Sequence, residues 1–218
     1  MQFLPCQSPE QPLGIYPLVD RAEKLKTLFE AGITTAQIRI KDLDGERLEK
    51  ELSQADSVAK SYQSRLFIND YWEMALQLNS YGVHLGQEDV LEADLSAVHQ
   101  AGIRLGVSTH TPEEIASALT IQPSYIAIGP VFKTQSKQLS YPTTGLNNLQ
   151  HWVKTLNVPV VVIGGIQRHN LTDVIQAGAN GVAMISGLNL SGCTQTEGLQ
   201  TLIDTFNTAY QTRVNTHV

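Results

Sequence analysis

Three polar side chains at alternate positions raise the first chemical question. Gln37, Arg39 and Lys41 are interleaved with Ile38 and Ile40 in the run QIRIK. On a strand, period-two alternation sends the polar three to one face and the isoleucines to the other. Two cations and an amide on one face suit an anion, because arginine offers a bidentate fork and lysine a point charge. A buried ion-pair network with Asp70 or Asp89 would satisfy the same charges. Asp70 follows Asn69 where the apolar run Leu66, Phe67, Ile68 stops, and Asp89 closes the triplet Gln87-Glu88-Asp89 after GVHLG. Two carboxylates at neighbouring strand ends, about 5 Å apart in the sheet direction, are a donor pair for Mg²⁺. Waters and phosphate oxygens complete its octahedron. Both aspartates also suit helix N-caps, and spacing alone leaves the two readings level. The cationic strand beside them favours a metal with a pyrophosphate.

Further polar groups follow other apolar runs. Ser108 and Thr109 end IRLGVST and could donate to a ligand, while Thr111 before Pro112 is placed to cap a helix. The loop FKTQSK gathers Lys133, Thr134, Gln135, Ser136 and Lys137, hydroxyls and ammonium groups that suit a phosphate. Glycines in IGGI and MISGL let backbone N–H groups approach an anion, or in IGGI simply make a tight turn. His84, inside an apolar run, is expected as a hydrogen-bonded interior histidine, and His110 carries little by itself. No Ser-His-Asp order, HExxH helix or nucleophile elbow occurs. Cations, hydroxyls and a metal without a covalent nucleophile suit departure of pyrophosphate better than acyl or hydride transfer.

The elements that must position these groups alternate along the whole chain. Strands are expected at 15–20, 35–40, 65–69, 82–86, 103–108, 124–129, 158–164 and 181–186, each followed by a helical pattern such as Leu25, Leu28, Phe29. Ala-Gly pairs at 31–32, 101–102 and 177–178 read as helix C-termini. Strict alternation implies a parallel sheet, and eight units imply a single (β/α)8 barrel with its site at the strands' C-terminal ends. A doubly wound open sheet is the alternative, but no glycine-rich dinucleotide fingerprint follows any strand. One domain covers residues 1–218, with 1–14 as an extension and about 207–218 as a tail that need not be ordered.

The bulk properties exclude several classes. The 218 residues are 42% hydrophobic and 17% charged with a net charge of −6, and basic residues are scattered. That argues against nucleic acid and against an anionic membrane surface. Cys6 and Cys193 are the only cysteines, far apart and without zinc spacing. The start MQFLPCQSPEQPLG lacks a signal-peptide pattern, and VPVVVIGGI is too short to span a bilayer. The expected setting is a reducing cytoplasm. Partners are expected to be small molecules, with homo-oligomerisation left open.

The segments QIRIKD, LFINDYW, YGVHLGQED, LGVSTH, YIAIGPVFKTQSK, VVIGGI and GVAMIS, in this order, resemble the thiamin phosphate synthase family over roughly residues 15–190. The resemblance implies the barrel, a requirement for Mg²⁺, and a reaction. That reaction joins 4-amino-2-methyl-5-hydroxymethylpyrimidine diphosphate to a thiazole phosphate, giving thiamin monophosphate and pyrophosphate. It implies a pyrimidine-diphosphate site of Gln37, Arg39, Lys41, Asn69, Ser108 and Lys137, with Asp70 and Asp89 as Mg²⁺ ligands. It assigns the thiazole phosphate to Thr134, Gln135, Ser136, Gly165, Ile185 and Ser186. Arg39, Lys41, Lys137 and Ser108 would carry catalysis. The chain departs from the family pattern at Tyr71, where many members have a second aspartate. It departs again at Lys133, where proline is common, and at Ser136, where threonine is common. A thiazole tautomerase on the same barrel, or a non-catalytic thiamin-precursor-binding protein, is the competing reading.

Overall fold

The computed structural model describes residues 1–8, 10–134, 142–188 and 194–216. Eight parallel strands close on themselves in sequence order: β1 (Gly14–Val19), β2 (Thr35–Ile38), β3 (Arg65–Asn69), β4 (Gly82–Leu85), β5 (Arg104–Thr109), β6 (Tyr125–Ile128), β7 (Val160–Ile163) and β8 (Gly181–Met184). Closure is made by β1 on β8, where Ile15 sits opposite Val182 and Pro17 opposite Met184. All eight expected strands are present, β3 with the expected bounds and the others trimmed or shifted by one to three residues. The helices are α1 (Glu23–Glu30), α2 (Gly45–Ser61), α3 (Trp72–Leu78), α4 (Gln87–Glu92), α5 (Leu95–Gln100), α6 (Pro112–Ile121), α7 (Gly145–Val153), α8 (Arg168–Gln176) and α9 (Gln195–Thr216).

The sequence explains most of these boundaries. Gly32, Gly102 and Gly178 take positive φ just past α1, α5 and α8, where an L side chain would be strained. Thr111 caps α6 by accepting from the Glu114 N–H at 3.3 Å, with Pro112 in the first turn.

Alternation along each strand divides the interior into two compartments. Outward residues such as Ile38, Ile40, Leu66, Ile68, Val83, Leu105 and Val162 pack on the helices in one large cluster. Inward residues Tyr16, Phe67, Tyr125, Ala127, Val161 and Ala183 form a second cluster inside the barrel. Gly82 and Gly106 make room for it, because a Cβ at either would collide with the ring of Phe67 or Tyr125. The N-terminal segment closes the barrel floor by adding Leu13 and Cys6 to this inner cluster. The Arg65 guanidinium ties that segment down, donating to the carbonyls of Cys6 (3.1 Å), Gln11 (3.1 Å) and Pro12 (2.7 Å). Burial pushes the Cys6 thiol up to about 12, so it is a packing group rather than a reactive one.

Two expectations change. The single helical stretch expected after β4 is two short helices, because the QED triplet itself opens α4. The C-terminal tail is not loose as far as Thr216. It continues α9, burying Ala209 and Tyr210. Arg213 donates to the carbonyls of Ile175 (2.6 Å) and Ala179 (2.7 Å) at the end of α8.

Candidate active site

A cleft opens at the C-terminal ends of the strands, where a barrel of this type carries its site. Its wall on the β2–β5 side holds Gln37, Arg39, Asn69, His84 and Ser108, and its opposite wall holds Thr134, Gly164, Gly165, Ile185 and Ser186. Tyr16, Tyr125 and Ala127 of the inner cluster form the floor.

The β2 alternation has the expected outcome. Ile38 and Ile40 are fully buried against the helices, while Gln37 and Arg39 face the cleft. Lys41 lies further out on the rim, its ammonium group paired with the Asp70 carboxylate. Asp70 adopts φ +67, the left-handed region that few non-glycine residues occupy. Its N–H donates to the His84 carbonyl at 2.9 Å, and its own carbonyl accepts from the Trp72 N–H at 2.8 Å. The strand therefore ends in a tight turn that presents the Asp70 side chain, and Asp70 is not the cap of α3. The residue preceding that helix is Tyr71, whose hydroxyl donates to the Ile40 carbonyl at 3.2 Å. Tyr71 and Trp72 pack on the outer cluster.

Asp89 is the third residue of α4. Its carboxylate accepts from the Gly86 N–H at 3.0 Å, so it does part of the capping work. Its other partner is Asp70. Burial first, and the adjacent Asp70 charge second, raise the Asp89 carboxyl above its ordinary value, while the Gly86 N–H and Lys41 pull it down. Two carboxylates that repel each other, only partly offset by one ammonium, fit a divalent cation. Among the described residues no group of three or more His, Cys, Asp or Glu side chains could hold a metal. A two-carboxylate site therefore needs oxygen from water or ligand, which is how Mg²⁺ is usually bound.

Ser108 at the end of β5 is held from two sides. Its carbonyl accepts from the Gln87 amide at 2.5 Å, and its hydroxyl lies 2.8 Å from His84 Nε2. His84 is buried and bonded at both nitrogens, with Nδ1 2.7 Å from the Tyr125 hydroxyl. Desolvation depresses its pKa from 6.5 to about 4, against the pull of Asp70, so the ring is neutral at physiological pH. The expected interior role for His84 holds.

Gly164 and Gly165 carry φ +101 and +65, and a Cβ on either would run into the Pro130–Lys133 segment after β6. Their first reason for being glycine is thus the close passage of that loop. The same passage brings Thr134 to the cleft, on the wall it shares with Ser186. Gln135, Ser136 and Lys137, expected in the site, lie outside the described residues.

Sequence reasoning passed over Tyr16, Leu18, Tyr125, Ile163 and His110, all of which line the cleft. Period-two alternation on β1, β6 and β7, applied as it was to β2, would have turned the first four inward. His110 has no such periodic signal. It is set by the Glu114 carboxylate, 2.8 Å from its Nδ1, at the start of α6.

The comparisons with known proteins fall on this same frame. A family model described as thiamine monophosphate synthase matches residues 15–188. A thiamine-phosphate synthase of Yersinia pestis (strain Pestoides F) is 48% identical over 185 residues, covering 84% of this chain and 86% of the relative. One from Serratia proteamaculans (strain 568) is 46% identical over 177 residues, covering 81% and 84%. The solved thiamine phosphate pyrophosphorylase of Pyrococcus furiosus superposes with a TM-score of 0.78 at 26% identity, over 90% of this chain and 96% of that one. Because the family match runs from the first strand to the turn after the last, the chain belongs to the thiamine monophosphate synthase family.

Proposed function

We propose that the chain joins the methylene carbon of 4-amino-2-methyl-5-hydroxymethylpyrimidine diphosphate to the ring nitrogen of a thiazole phosphate. The products are thiamin monophosphate and pyrophosphate. The observation that carries this reading is the asymmetry of the cleft. Cations and paired carboxylates gather on the β2–β4 side. A glycine- and hydroxyl-lined wall faces them across Tyr16 and Tyr125.

In this reading Gln37, Asn69 and Ser108 hold the pyrimidine diphosphate, and Arg39, Lys41 and Lys137 face its phosphate oxygens. Thr134, Gln135, Ser136, Gly165, Ile185 and Ser186 take the thiazole phosphate. Asp70 and Asp89 would hold Mg²⁺, which when bound supplies positive charge to offset that of the diphosphate. The C–O bond breaks heterolytically, its electron pair leaves with the pyrophosphate, and the aminopyrimidine carries the methylene cation. The thiazole nitrogen lone pair then forms the C–N bond. Arg39, Lys41 and Lys137 stabilise the departing charge, and the two walls keep nucleophile and carbon in line. The chemistry asks for no protein nucleophile and no protein general base.

Incubation with both substrates and Mg²⁺ is expected to release pyrophosphate and thiamin monophosphate in equal amounts. Isomerisation of the thiazole phosphate alone, or binding without turnover, would overturn the proposal.

A further inference from the structure

A clamped imidazole lines the cleft two residues past Ser108. His110 lies one residue beyond β5, and both it and Ser108 line the cleft. Thr109 between them is turned aside, its hydroxyl donating to the Ala127 carbonyl at 3.0 Å. One oxygen of Glu114, Oε2, takes two contacts from His110. The backbone N–H donates to it at 2.6 Å, and ring Nδ1 lies 2.8 Å away. Glu114 is itself fixed in the first turn of α6, its N–H capped by the Thr111 hydroxyl at 3.3 Å.

These contacts settle which edge of the ring does what. A carboxylate only accepts, so Nδ1 carries a proton and donates it to Glu114. Glu114 does not line the cleft, so the edge that His110 offers there is the one with Nε2. A neutral ring would bring a lone pair at that nitrogen, and an imidazolium brings an N–H and a charge. The surroundings decide between them. Among the described residues that line the cleft there is no carboxylate, and only Arg39, His84 and His110 can carry positive charge. His84 is buried and neutral. A phosphate in the cleft and the Glu114 carboxylate on the ring's other side both favour the imidazolium.

We propose that His110, charged and clamped by Glu114, is a further catalytic residue whose Nε2–H donates to the diphosphate of the pyrimidine substrate and to the pyrophosphate as it leaves. The bond is charge-assisted, and it strengthens as the leaving oxygens gain charge. The proton stays on Nε2 throughout. Glu114 touches no substrate and is a positioning residue. The inference rests on the reading that puts the pyrimidine diphosphate against Ser108.

His110→Ala is expected to lower kcat/KM for the pyrimidine diphosphate roughly ten- to a hundredfold, with KM for the thiazole phosphate within about threefold of wild type. Unchanged kcat/KM, or a thiazole phosphate KM beyond that bound, would overturn the proposal. Glu114→Ala keeps the imidazole and removes its clamp. A smaller loss with the same selectivity between substrates is expected, and wild-type kinetics would overturn the positioning role. Nitrogen-15 NMR of the full-length wild-type protein does not depend on any variant folding. Addition of inorganic pyrophosphate with Mg²⁺ is expected to shift the His110 Nε2 signal, leaving both ring nitrogens protonated. An unmoved signal at millimolar pyrophosphate, or an unprotonated Nε2, would overturn the contact. If the wild type released no pyrophosphate from the two substrates, the functional reading would fail on its own, while the ring signal would still judge the contact.

Discussion

At the scale of single residues, Asp70 and His84 show how one side chain serves two ends. Asp70 sits in left-handed backbone and faces a second carboxylate, an arrangement with little to recommend it for stability alone. Its replacement by Asn is therefore expected to leave folding nearly unchanged while lowering kcat by about a hundredfold or more, with the Mg²⁺ dependence shifted to higher concentrations. Turnover and its Mg²⁺ titration are the measurements. His84 has the opposite balance. Its folded pKa, about 4, lies below the ordinary 6.5. The unfolded chain thus takes up its proton first as the pH falls. Stability from His84 is fully present above pH 6.5 and drains away as the pH drops toward about 4, on the order of 3 kcal/mol if the depression is complete. Urea denaturation at several pH values is expected to show this loss in the wild type and a shallower slope in His84→Gln. The QIRIK alternation and the strand-end acids were legible because period two and strand ends are local properties. The left-handed turn at Asp70 was not, since Asp occupies that region too rarely for sequence to signal it.

At the scale of elements, the barrel separates its duties by end. Arg65 works at the N-terminal floor, far along the strands from the cleft, where it satisfies three carbonyls of the N-terminal segment and the Thr34 hydroxyl. Arg65→Ala would leave those acceptors without their donor. The expected cost is about 2–4 kcal/mol of stability, with KM for both substrates unaltered. Denaturant unfolding beside steady-state kinetics checks this split. The last helix makes a similar point. The run after Phe206 is rich in Thr, Gln and Asn, and this polarity hid the buried stripe of Ala209 and Tyr210 and the tie from Arg213 to α8. Truncation after Phe206 is expected to cost about 3 kcal/mol, or roughly 6–12 °C in Tm by calorimetry. The division after β4 escaped sequence reading for a related reason: a six-residue helix with no buried residue, such as α4, has no periodic stripe to read.

At the scale of the whole molecule, alternation of strand and helix made the architecture plain, because parallel neighbours leave few other ways to connect. The cleft was less plain. Its cationic wall could be read from one strand and its far wall from the glycines and hydroxyls that follow β6, β7 and β8, but its floor comes from strands read for hydrophobicity rather than for the direction of each side chain. Gly165→Ala tests whether the far wall depends on the loop that passes over it. A Cβ there meets the Lys133 carbonyl and Phe132, so the β6 loop must shift. KM for the thiazole phosphate is expected to rise about tenfold or more, with KM for the pyrimidine diphosphate much less changed.

The two compartments have a consequence for change over generations. Because the sheet stands between them, the apolar layer under the helices can be repacked without touching the cleft, except at Ile166 and Met184, which belong to both. The few side chains inside the barrel are at once ballast and reaction floor. Libraries confined to the outer layer should therefore yield variants that differ in heat tolerance and keep their substrate preference. Libraries confined to Tyr16, Phe67, Tyr125, Ala127, Val161 and Ala183 should move both properties together, so this barrel is free to adapt to temperature along a route that its chemistry does not share.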